Sequence, residues 1–144
     1  MAQTASTTPT VATSTDATGR VKWRLGIVGA AILAGLATWA IASLATDIRV
    51  DNRGTIAQIG PAAVTFAATV AALAGWAALA VLERMTPRAR TVWTVLAVIA
   101  LVVSLGGAFT GVDGASVAAL AALHLTVGGV VIVGLRRTTQ NRTP

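Results

Sequence analysis

The sequence predicts an all-α integral membrane protein, an antiparallel four-helix bundle with both ends on the cytoplasmic side (N-in/C-in), and three observations carry that prediction. Of 144 residues, 55% are hydrophobic and only 11% charged, with a mean hydropathy of +0.76, whereas ordinary soluble domains carry about 25% charged residues. The apolar residues are gathered into four long uncharged runs rather than spread at spacings that would give a soluble element one wet face. The basic residues flank those runs, although the net charge of +6 and the pI near 11.8 could suggest nucleic acid in a soluble chain. That placement points to lipid headgroups and membrane topology, and no nucleic-acid partner is expected.

Residues 1–19 are mostly Thr, Ser and Ala with a single charge, Asp16, and are expected to form a disordered cytoplasmic tail. Arg20, Lys22 and Arg24, with Trp23 among them, precede the first run, residues 25–45. At about 1.5 Å per residue such a run matches the roughly 30 Å of hydrocarbon. Residues 46–60 hold Asp47, Arg49, Asp51 and Arg53 and read as a loop, with a short extended or interfacial piece in Ile48, Val50, Ile56 and Ile59. Pro61 opens the second run, residues 61–82, where its missing N–H falls among first-turn donors that are unpaired anyway. The connector 83–90 carries Pro87 and is short enough to read as a turn between antiparallel helices. The third run is 91–109, the turn signals Gly106, Gly107 and Gly114 follow, and 115–135 forms the fourth. Arg136 and Arg137 close a transmembrane domain spanning 20–137, and 138–144 is a polar cytoplasmic tail.

Basic residues beside a span resist translocation, so their distribution orients the chain. Arg20, Lys22, Arg24, Arg84, Arg88, Arg90, Arg136, Arg137 and Arg142 fall on one side, and only Arg49 and Arg53 on the other. That asymmetry places both termini in the cytoplasm of a bacterial plasma membrane, with Trp23 and Trp93 at the cytoplasmic interface. The bacterial source is itself an expectation, drawn from a chain rich in Ala and Arg with one lysine, Lys22. A competing reading takes Ser43-Leu44-Ala45 as a signal-peptide cleavage site, which would leave three spans. The run before it is longer than a signal h-region of about 7–15 residues, and the basic region lies unusually far in.

His124 is the one histidine and the one ionisable side chain within the four runs. Such a group is a functional candidate by default; the plainer reading is a neutral imidazole donating to a backbone carbonyl or a neighbouring Thr as interhelical glue, which is favoured because no carboxylate shares its depth. Thr38, Ser43, Thr65, Thr69, Ser104 and Ser116 all fall in the outer half of the spans, with His124 at their floor. An outward-facing polar pocket built from Thr38, Thr65, Thr69, Ser104 and His124 is the sharper hypothesis; the plainer one ties each hydroxyl to its own helix. Small residues recur at helical spacing, as Ala31 and Gly35, and as Ala67, Ala71 and Gly75, predicting close helix packing. Gly107 and Gly111 share that spacing but mark a turn. Glu83 with Arg84, Arg88 and Arg90 is expected to form a polar knot at the second connector, and Arg84, Arg88, Arg90, Arg136 and Arg137 to set topology and meet anionic headgroups.

Cysteine is absent, which excludes disulfides, thiolate metal sites and Cys-based redox relays. No phosphate loop, zinc spacing, nucleophile elbow or Ser/His/Asp set is present, so no catalytic residue, metal site or cofactor is expected. A proton-coupled multidrug-type transporter would want a carboxylate inside a span, and none of the runs holds one.

The string Trp76-Ala-Ala-Leu-Ala-Val-Leu-Glu83-Arg84-Met-Thr86-Pro-Arg88-Ala-Arg90-Thr-Val-Trp93-Thr94, with Ser104-Leu-Gly106, Leu123-His124-Leu125 and Gly134-Leu-Arg136-Arg137, resembles a family of small bacterial four-helix membrane proteins classed as a domain of unknown function, DUF family 6069. The likeness runs from Trp23 to Arg137. It implies a four-helix fold with His124, Trp76, Glu83, Arg84 and Trp93 at motif positions, and it implies no activity. Val133 stands where the family pattern has proline, which leaves a kink in the last helix without support.

Three functional readings follow. The first is a non-enzymatic interaction or accessory subunit whose partners are membrane lipids and either a second copy or another membrane protein. The second is a small-molecule binder or carrier with its pocket around His124. The third is a haem or metal protein using His124 across a symmetric dimer.

Overall fold

Uncharged backbone can sit in hydrocarbon only if each N–H and C=O is satisfied within the chain, and helices do this within one segment. The computed structural model, which describes residues 14–138, resolves this into four helices: α1 (Ser14–Ser43), α2 (Pro61–Met85), α3 (Ala89–Leu105) and α4 (Gly114–Thr138). All four are long and apolar enough to cross a membrane, α3 together with the 3-10 turn Gly106–Thr110 that continues it. The expected tails at 1–13 and 139–144 lie outside the described residues. α1 begins at Ser14, within the stretch expected to be tail, and α4 runs one residue past Arg137 to Thr138. Large side chains such as Leu33, Ile41, Phe66, Val102 and Val103 face outward, the inside-out pattern of a chain whose solvent is lipid.

α1 lies against α4 and α2 in the two most extensive interfaces, and α3 packs on α4 and α2 from another side. Close approach needs small residues at the contacts. A β-carbon on Gly35 would come within 3.1 Å of Val127 and 3.2 Å of Val64, and one on Gly75 within 3.1 Å of Val131. Ala31 is completely buried, so the Ala31–Gly35 ridge makes the contact its spacing predicts.

The loop at 46–60 is more ordered than expected. It forms a β-hairpin, β1 (Arg49–Asn52) paired antiparallel with β2 (Thr55–Gln58). Both residues of its two-residue turn have positive φ, Arg53 at 55° and Gly54 at 87°, the geometry of the type I′ turn that matches strand twist. Asp51 Oδ1 accepts the Gly54 N–H at 2.7 Å. The hairpin is docked on the helices: Ile48 is buried, Val112 N–H donates to Arg49 O, and Trp39 Nε1 donates to Ile59 O at 2.8 Å. Gly111 bridges to Val50, and a β-carbon there would lie 2.6 Å from Val117 N, so only glycine fits.

Candidate functional site

The charged side chains of the described residues gather at two ends of the molecule, and α2 and α3 leave a cavity between them. At the basic end, Arg24 of α1 is buried; its guanidinium meets Glu83 Oε1 of α2 at 2.6 Å and donates through Nε to Thr138 Oγ1 of α4 at 3.2 Å. The partner of Glu83 is therefore Arg24, whereas the expected knot drew on Arg84, Arg88 and Arg90. Glu83 is the sole glutamate, which marks it as wanting a cation; which arginine turns inward depends on how α1 packs, and periodicity does not reveal that. Arg84, Arg88, Arg136 and Arg137 are exposed, and Arg90 is half-buried with its Nε unpartnered. Arg84 also lines, with Arg20, Arg24, Thr86 and Thr138, a polar hollow of about 370 Å³.

Trp23 is exposed at this end, whereas Trp93 is turned into the protein and is 2% exposed. Its indole fills the space between α2 and α3, and Nε1 donates to Gly75 O at 3.0 Å. That carbonyl lies within α2, where a second acceptor lone pair is available. The buried core around it comprises Ile27, Ala31, Ala72, Leu79, Val131 and Leu135.

Toward the hairpin end, α2 and α3 leave a cavity of about 450 Å³ on the flank of α4. One wall is Ala63, Ala67 and Ala71, spaced four apart on α2 and open to the outside; facing them are Leu101 and Ser104 of α3, with Leu123, His124 and Gly128 of α4 as the floor. The walls are nearly all hydrocarbon. Ser104 Oγ donates to Leu101 O at 2.8 Å, and His124 Nδ1 lies 2.7 Å from Leu120 O.

Of the residues proposed for a polar pocket, the structure brings His124 and Ser104 to this cavity. Thr38, Thr65 and Thr69 do not line it; each donates to a carbonyl four residues back, Ala34, Pro61 and Thr65 respectively. Such back-bonding satisfies a hydroxyl without a partner helix. Ser116 serves another purpose: fully buried, it accepts the Arg49 N–H at 3.2 Å and anchors the hairpin. Asp113 precedes α4 and accepts the Ser116 N–H at 2.7 Å as an N-cap. That backbone bond, aided by Arg49 nearby, holds the Asp113 carboxyl below the usual carboxylate range. What sequence reasoning missed is the cavity's apolar wall, since the alanines at 67 and 71 read as a packing ridge.

Among the described residues no group of three or more His, Asp or Glu side chains converges as a metal site. The fold and the cavity define a small chain of four membrane-length helices, closed at one end by an ion pair and capped at the other by a hairpin. The model of a family of unknown function, DUF6069, matches residues 15–141, and the chain belongs to that family. No curated protein and no solved structure matches it.

Proposed function

We propose that the protein binds or carries an apolar small molecule that enters from the bilayer between α2 and α3. The observation that supports this is the cavity beside His124: at about 450 Å³ it lies within the roughly 300–1,000 Å³ of pockets that enclose small ligands. Water is a poor occupant, because a buried water wants about three polar partners, and this wall offers only His124 and Ser104. The alanine wall opens sideways, toward what would be lipid acyl chains. In this reading the helices form an antiparallel bundle with both termini in the cytoplasm, the cavity in the outer half of the plasma membrane, and Arg84, Arg88, Arg136 and Arg137 at anionic headgroups. The chain acts without catalysis of its own.

A diazirine-bearing alkyl probe tests the cavity in purified, detergent-solubilised protein. Photolabel is expected to concentrate on residues 63–71 and 101–104, and to fall sharply when Ala67→Leu and Ala71→Leu fill the space. Label spread evenly over the outward-facing residues Leu33, Ile41, Phe66 and Val103, and unchanged by the double substitution, would refute the reading.

A further inference from the structure

The cavity has a chemical polarity as well as a volume. His124 Nδ1 lies 2.7 Å from Leu120 O. A carbonyl oxygen has no proton to give, so the ring proton sits on Nδ1, and in the neutral ring Nε2 is left as a lone-pair acceptor. Among the described residues no side-chain or backbone donor bonds Nε2. At Gly107 even a β-carbon would stand 4.0 Å from Nε2, and no side chain exists there to reach it. Ser104, which also lines the cavity, gives its only hydroxyl proton to Leu101 O, so toward a guest its oxygen can only accept. With the ring neutral, the polar side chains of the wall, His124 and Ser104, offer acceptors and no free donor.

An acceptor that meets only hydrocarbon and is left unpaired is costly. A guest that removes this cost must have an apolar body and bring one donor. A plain acyl chain fills the volume but leaves Nε2 unpaired, and an ether or ester presents further acceptors to acceptors. Resting on the reading that the cavity takes an apolar guest, we propose that the guest is an apolar alcohol, a long-chain or ring-bearing molecule with a single hydroxyl, whose O–H donates to His124 Nε2. Its hydrocarbon body then lies along Ala63, Ala67 and Ala71, and the alcohol enters from the membrane.

A matched pair of probes tests the donor alone: a diazirine-bearing hexadecanol and its methyl ether, which keeps the chain and the oxygen but removes the proton. With the full-length protein in detergent, the alcohol is expected to label residues 63–71 and 101–104 about fivefold to tenfold more strongly at sub-saturating concentration, the worth of one net hydrogen bond. In His124→Phe, which keeps the ring volume, the two probes are expected to label equally, at the level of the ether on the original chain. Equal labelling of the cavity by alcohol and ether in the unaltered protein would overturn the hydroxyl assignment and leave the apolar cavity standing. Failure of both probes to label the cavity would overturn the cavity reading along with it. The comparison in the unaltered protein needs no variant, so a misfolded His124→Phe cannot obscure the result.

Discussion

At the basic end the space between α2 and α3 is filled by Trp93, which is tied to Gly75 and backed by Leu79 and Leu135. Two to three turns further along α3, the same pair of helices presents Leu101 and Ser104 to a row of alanines and leaves about 450 Å³ open. Both regions use small residues on α2, so small residues alone do not decide whether helices close. The partner decides: an indole of large volume opposite Gly75 completes the packing, whereas medium and small side chains opposite Ala63, Ala67 and Ala71 cannot. The seam between α2 and α3 is thus closed at one end and retains space at the other.

The largest test of that contrast is to open the closed half. Trp93→Ala is expected to cost about 3–5 kcal/mol, the range for deleting a buried aromatic, read from the unfolding midpoint in a denaturing detergent titration. A loss under about 1 kcal/mol would mean that the indole packs no better than lipid does. Next comes the ion pair. Arg24→Met strands the Glu83 carboxylate, and because that side chain is 30% exposed the expected loss is about 2 kcal/mol, below the 3–5 kcal/mol of a fully buried pair. Restored stability in Arg24→Met with Glu83→Leu would sharpen the point, since a packed apolar pair often equals a buried ionic one.

Filling the open half should behave in the opposite way. Ala67→Leu with Ala71→Leu is expected to leave stability within about 1.5 kcal/mol of the original or to raise it, while abolishing guest binding. A large loss would show that the space is needed for the fold. The smallest effect belongs to the hairpin cap. The Asp113 carboxyl is held below its ordinary value of 3.8, so its contribution is fully present above that pH. The contribution is lost as pH falls through the lower native value. The acid-side drop in melting temperature should therefore shrink in Asp113→Asn, and an unchanged profile would remove the cap from the account.

Much of this fold was legible in the residues because hydrocarbon imposes a simple rule: long uncharged runs become helices, and the runs at 61–82, 91–109 and 115–135 each fall within a membrane-length helix, while the run at 25–45 overshoots the end of α1 at Ser43 by two residues. The hairpin was half legible. Ile48, Val50, Ile56 and Ile59 suggested an extended piece, but the turn uses Arg53-Gly54 in place of the Asn-Gly pair that would announce it. The site was legible in its centre and not in its wall. His124 stood out as an ionisable group at depth, yet the hydroxyls grouped with it at Thr38, Thr65 and Thr69 are satisfied within their own helices. Depth along a span can be counted from sequence, whereas the direction a residue faces depends on the rotation of each helix, which tertiary packing sets. Arg24 makes the same point, since nothing in its spacing distinguishes it from the exposed arginines nearby.

The most direct test is mass spectrometry of the intact protein released gently from its own membrane. The account predicts one apolar, hydroxyl-bearing molecule retained per chain, and its absence from the Ala67→Leu, Ala71→Leu variant prepared in the same way. A bare chain in both samples, or the same adduct in equal amount on both, would contradict it.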